Sequence, residues 1–241
     1  MADPMNSPMW ADLSARFFQG AAVHFSDKVK LTMPGITENQ HQFPVMIDGR
    51  AVPGATRMIL FEDLNPIPLS VDYQLQKSAA VFATCIKLDQ RTPVRGAVLG
   101  PDGWHVASQW VDAAGGGCSA PPLSRVRGDW HDHLGELRGA AWPHADGVRL
   151  RLTIRHPMDT GLVENIAAYN LEELSVRNAA GDVLATLSIF GSVAEDPVFT
   201  FSVPGAAGDQ LMLEARDTGG VRISGQVAVP RVSPFPAEVR Q

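Results

Sequence analysis

The chain has 241 residues and a net charge of −6, with 45% hydrophobic and 19% charged residues. A folded chain of 25.9 kDa exposes roughly 10,500 Å² against about 37,500 Å² unfolded, so burial can stabilise it without a disulfide or metal staple. The pI of about 5.6 and scattered Lys and Arg argue against nucleic-acid binding. The apolar runs fall short of the roughly 18 residues that a membrane span needs.

The N-terminus, MADPMNSPMW, has neither a basic start nor an apolar stretch, so no secretory signal is read there. An Ala-Asp-Pro start after an added Met would also suit a processed, exported chain. Residues 1–27 form an N-terminal segment with one short amphipathic helix. Ser7 is its expected N-cap, Pro8 its first residue and Gly20 its stop. Trp10, Leu13 and Phe17 share one face. Prolines (18) and glycines (22) punctuate the rest, and an interior proline costs a helix about 3 kcal/mol.

Residues 28–112 alternate with period two. DKVKLTMP, FPVMIDG, TRMILFED, SVDYQL, AVFATCIKLD, VRGAVLG and WHVASQWVD read as short strands between turns such as Asp48-Gly49 and Asp102-Gly103. This predicts a β-sandwich. Residues 113–147 break the texture. AAGGGCSAPP is flexible or extended, and the polar RVRGDWHDHLGELRGAAWPHADG reads as an irregular linker with a turn or two of helix from Asp129. A second alternating series covers 148–230, opening with VRLRLTIRHP and turning at Ala180-Gly181-Asp182 and Thr218-Gly219-Gly220. Residues 231–241 read as a loose tail. The chain is therefore expected to be all-β, with two sandwich domains.

Of the two cysteines, Cys85 lies in a strand and reads as a core or sheet residue. Cys118 follows Gly115, Gly116 and Gly117 and precedes Ser119. Glycines supply no packing partners, so Cys118 is expected to be exposed on a flexible arm. Its residues alone leave three readings open: a functional thiol, an inert loop cysteine, or a disulfide or metal partner. His131 and His133 could give two ligands to copper or zinc, but spacing fixes no third, and solvated loop histidines are the simpler reading. Met1, Met5 and Met9 have a spacing that could suit Cu(I), with prolines between them. Glu172-Glu173 reads as one residue in and one out. His156-Pro157-Met158-Asp159-Thr160-Gly161 reads as a turn with a structural role. No nucleotide, hydrolase or zinc-protease motif is present.

KVKLTMPGITENQHQFPVMID, LFEDLNPIPLSVDYQL and VRGAVLGPDGWHVASQWVDAAGGGC resemble SoxY, the sulfur-carrier subunit of bacterial thiosulfate oxidation. The second half resembles its partner SoxZ, through Ile154-Arg155-His156-Pro157-Met158-Asp159-Thr160-Gly161, Asp196-Pro197…Phe199-Thr200-Phe201 and Ala207-Gly208-Asp209. The order of motifs is that of a SoxY–SoxZ fusion, similar to the carriers associated with quinoprotein dehydrogenases. The resemblance implies two immunoglobulin-like sandwiches in intramolecular contact, an export signal already removed and a periplasmic location.

It also implies a carrier rather than an enzyme. Cys118 would hold sulfur-containing cargo covalently for Sox-type or quinoprotein dehydrogenase-associated redox enzymes, with no cofactor and no metal. Here the arm continues through Ser119-Ala120-Pro121-Pro122 into a second domain instead of ending free. An exposed thiol would also invite a disulfide-linked homodimer through Cys118. Two other expectations stand beside this one: a non-covalent accessory of a periplasmic quinoprotein (alcohol) dehydrogenase, and metal handling through His131, His133 and Cys118.

Overall fold

The computed structural model describes residues 2–144 and 147–231. The expectations for Met1 and for nearly all of the 231–241 tail fall outside those residues. Helix α1 (Trp10–Phe18) is followed by strands β1 (Val23–Phe25), β2 (Lys30–Thr32), β3 (Phe43–Asp48), β4 (Arg57–Glu62), β5 (Leu69–Gln74), β6 (Val81–Ile86), β7 (Thr92–Gly100) and β8 (Gly103–Val111). After a short helix α2 (Leu123–Arg127) come β9 (Leu137–His144), β10 (Gly147–Ile154), β11 (Leu171–Asn178), β12 (Val183–Ile189), β13 (Val198–Val203), β14 (Gln210–Asp217) and β15 (Arg222–Ala228).

These strands make two sheets. One has nine strands in the order β1-β8-β7-β4-β5-β12-β11-β14-β15, and the other six in the order β2-β3-β6-β13-β10-β9. Both sheets run through both halves of the sequence, joined at β5–β12 by Val71↔Ile189 to Gln74↔Thr186 and at β6–β13 by Phe82↔Phe201 and Ala83↔Thr200. Between them lies one apolar core shared by the halves, from Phe43, Tyr73 and Phe82 to Leu152, Phe199 and Leu213. Alternation along the strands produces it. In β10, Val148, Leu150, Leu152 and Ile154 are buried while Arg149 and Arg151 face solvent, as period-two geometry requires.

Strand β4 departs from alternation because it is covered on both faces. Met58 and Leu60 enter the shared core, while Ile59 and Phe61 meet Leu13, Phe17 and Phe18 of α1. Phe17 packs edge-on against Phe61 with ring centroids 5.1 Å apart. The helix starts at Trp10, not Pro8, and no side chain caps it. Asp3 instead takes the Met5 and Ser7 N–H groups while its carboxylate reaches buried Arg95, which also pairs with Asp63. That ion triad orders the residues before the helix into non-helical turns and sets its late start.

The expected irregular stretch, residues 113–147, contains more structure than its texture suggests. The helix lies at Leu123–Arg127 rather than after Asp129, and β9 pairs with β10 from Leu137↔Ile154 to His144↔Gly147. Its signal was masked by Gly139, where a Cβ would sit 2.3 Å from a Val227 methyl. Glu172 and Glu173 both reach Arg216 instead of splitting in and out. A bulge between Leu171 and Glu173 resets the alternation there.

Candidate functional site

The Gly-rich segment closes over the ends of β3 and β6, where the halves meet. Gly117 donates to the Leu88 carbonyl, and Leu88 donates to that of Gln40. A Cβ at 117 would lie 2.4 Å from both carbonyl oxygens, so only glycine can thread this gap. Gly115 and Gly116 adopt φ of 107° and 87°, values open to glycine at little cost. The glycines therefore serve a tight backbone path.

Cys118 is 1% exposed, contrary to the expectation of an exposed, mobile thiol. Asp89 Oδ1 accepts hydrogen bonds from Cys118 N–H (3.0 Å), Ser119 N–H (3.1 Å) and Ser119 Oγ (2.9 Å). From the second half, Thr160 Oγ1 donates to the Cys118 carbonyl at 2.6 Å. The thiol points to the Lys87 carbonyl at 3.9 Å. That carbonyl and the Asp89 N–H are both held by the Asn65 side chain. Composition misled here because the partners of Cys118 are supplied by distant segments.

The turn read as structural supplies half of this seat. Met158, with φ of 53°, accepts from Lys87 Nζ through its carbonyl. Asp159 pairs with Arg125 of α2, Nε to Oδ2 at 3.0 Å, and Arg125 lies over Trp130 at 3.7 Å. Glu195 Oε2 accepts both Ser124 N–H and Ser124 Oγ. The chain that leaves Cys118 is thus tied down on the second half. His156 Nδ1 accepts the Met158 N–H, and Nε2 lies 3.6 Å from Asp217.

Burial dominates the electrostatics. It pushes the Cys118 thiol up to about 12, with Lys87 opposing and Glu62 and Asp89 reinforcing. Burial brings Lys87 down to about 8, with Cys118, Asp159 and Glu195 opposing. It also lowers His156 to about 4 and holds Glu62, bonded by Ser70 and Asn65, well above the carboxylate range. A thiol is a nucleophile only as thiolate. Burial in this seat accordingly disfavours the thiolate of Cys118.

Cys85, half-buried, sits on the outward side of β6. His133 pairs with Glu136 at 2.6 Å, and His131 lies against Trp130. Among the described residues no group of three His, Cys, Asp or Glu could hold a metal ion.

Residues 14–118 match the family model of sulfur oxidation protein SoxY, and residues 140–228 that of sulphur oxidation protein SoxZ. The chain is a SoxY–SoxZ fusion. The SoxY match ends on Cys118 itself, and the shared core joins the SoxY-matching and SoxZ-matching parts within one polypeptide. A SoxY sulfur carrier structure from Chlorobium limicola f thiosulfatophilum shows 19% identity at a TM-score of 0.40, over 44% of this chain and 91% of that one. The BSP domain of a biofilm-associated protein shows 15% identity at a TM-score of 0.27, over 86% of this chain and 30% of that one. No curated protein sequence matches the chain.

Residue patterns alone missed Lys87, Asp89 and Thr160. Lys87 follows the alternation of VFATCIKLD and looks solvent-facing, and its burial comes from the second half. Thr160 lies in the SoxZ-like string, the one signal that could have pointed to it.

Proposed function

We infer from the SoxY and SoxZ matches that the chain is a sulfur-oxidation carrier protein. We propose that it works in the periplasm, that Cys118 is the covalent attachment point, and that partner redox enzymes load and strip the thiol. The reading rests on Cys118 closing the SoxY match, on a glycine-built loop that both halves hold. Among the described residues no helix is long and apolar enough to cross a membrane.

Loading with a thiosulfate-class anion forms an S–S bond at Cys118, releases the thiol proton and yields two electrons, which the partner oxidoreductase accepts. The carrier contributes presentation and protection, and the partner contributes catalysis. The test is intact-mass analysis of protein from its native host, grown on reduced sulfur, with Cys118→Ser beside it. A sulfur adduct on the native chain that is absent from the variant is expected. An unmodified native chain, with unchanged growth of the variant, overturns covalent carriage.

Burial of Cys118 supports a second reading, a non-covalent accessory of a periplasmic quinoprotein dehydrogenase. In that case co-purification with the dehydrogenase survives Cys118→Ser.

A further inference from the structure

Lys87 is 4% exposed. An ammonium carries three donors, and Lys87 Nζ makes one hydrogen bond among the described residues, to the Met158 carbonyl. The nearby carboxylates are engaged elsewhere. Asp159 gives its oxygens to Arg125, and Glu195 Oε2 takes both Ser124 donors. A buried charge without a close counter-charge is costly, and a neutral docked thiol supplies none. Yet Lys87 lies against the Cys118 segment: its carbonyl faces Cys118 Sγ at 3.9 Å, and its ammonium bonds the Met158 carbonyl, two residues before the Thr160 that holds the Cys118 carbonyl. Two donors of the Lys87 ammonium therefore have no acceptor among the described residues, beside the segment that carries the thiol.

We infer that Lys87 holds the negative charge of oxidised sulfur cargo on Cys118 while the loaded arm is docked. The inference rests on the carrier reading and adds a specificity rule: anionic adducts are sheltered and neutral adducts of similar bulk are not. Lys87 would then be a positioning residue, acting on the cargo and not on bond making.

The test uses the full chain carrying Cys85→Ser, so that only Cys118 is labelled. Tetrathionate gives an anionic adduct: the Cys118 thiolate attacks a central sulfur, the bond between the two central sulfurs breaks, Cys118 Sγ–S–SO₃⁻ forms and thiosulfate leaves. Methyl methanethiosulfonate gives a neutral methyl disulfide, and methanesulfinate leaves. Cleavage of each adduct by a phosphine is then timed by mass spectrometry.

The anionic adduct should be cleaved about tenfold more slowly relative to the neutral one, the equivalent of about 1.4 kcal/mol. Lys87→Met should abolish that difference by speeding cleavage of the anionic adduct alone, and Lys87→Arg should restore it. An unchanged difference in Lys87→Met overturns the inference, as does equal loss of protection for both adducts without rescue by Lys87→Arg. Failure of Cys118 to take either label, while the unfolded chain takes both, overturns the carrier reading itself.

Discussion

Cys85 and Cys118 sit in opposite contexts and end in opposite environments. Cys85 lies within a regular strand, yet it faces outward and is only half-buried. Cys118 lies in the most glycine-rich segment of the chain, yet it is 1% exposed. In a strand, alternation decides exposure, and Cys85 falls on the outer side of β6 between buried Thr84 and Ile86. In a loop, hydrogen-bond partners decide it, and Cys118 has Asp89 on one half and Thr160 on the other. Irregular sequence is therefore a poor guide to mobility when distant polar groups converge on it.

Alkylation of the native chain is the most direct way to break this contrast. Burial raises both thiols above their ordinary value, Cys118 to about 12. Docked Cys118 should react roughly a hundredfold or more slowly than Cys85, since only thiolate reacts. Peptide mass mapping with iodoacetamide measures both sites at once. Equal native rates would show that the arm spends most of its time undocked.

Acid should loosen the seat of Cys118. The unfolded chain protonates His156 near 6.5, whereas the folded chain does so only at about 4. Stability is therefore lost as pH falls through that interval, by up to about 3 kcal/mol. Buried Glu62, raised well above its ordinary value, acts in the opposite sense. Comparison with His156→Asn, whose amide oxygen can still accept the Met158 N–H, isolates the histidine. The variant should lose less stability between pH 6.5 and 4 in urea titrations.

Two substitutions grade the latch. Asp89→Ala removes the acceptor of three donors and should ease undocking by about 2 kcal/mol, raising Cys118 alkylation roughly thirtyfold with Cys85 unchanged. Thr160→Val removes one bond worth about 1 kcal/mol and should raise it about fivefold. A Thr160→Val effect larger than that of Asp89→Ala would place the main hold on the SoxZ half.

Much of the site chemistry was hidden in the sequence for a definite reason. Lys87 occupies a place that alternation assigns to solvent, and its ammonium is taken by the Met158 turn, 71 positions further on. Asp89 stands in an ordinary turn, 29 positions before the thiol whose backbone it holds. The His156–Gly161 string was visible as a motif, but its partners were not. Strand β9 was missed because Gly139 and Pro143 suppress the alternation that marked its neighbours.

By itself the sequence determined an all-β chain, the positions of most strands, and the order of SoxY-like and SoxZ-like motifs. Those depend on local periodicity and turn chemistry, which act over a few residues. Only the tertiary structure decided that β5 meets β12 and β6 meets β13, so that two sheets and one core serve both halves. It also decided that the net-negative chain buries a lysine beside its glycine-flanked thiol. Burial and hydrogen-bond pairing depend on segments far apart in sequence, and no local pattern records which of them meet.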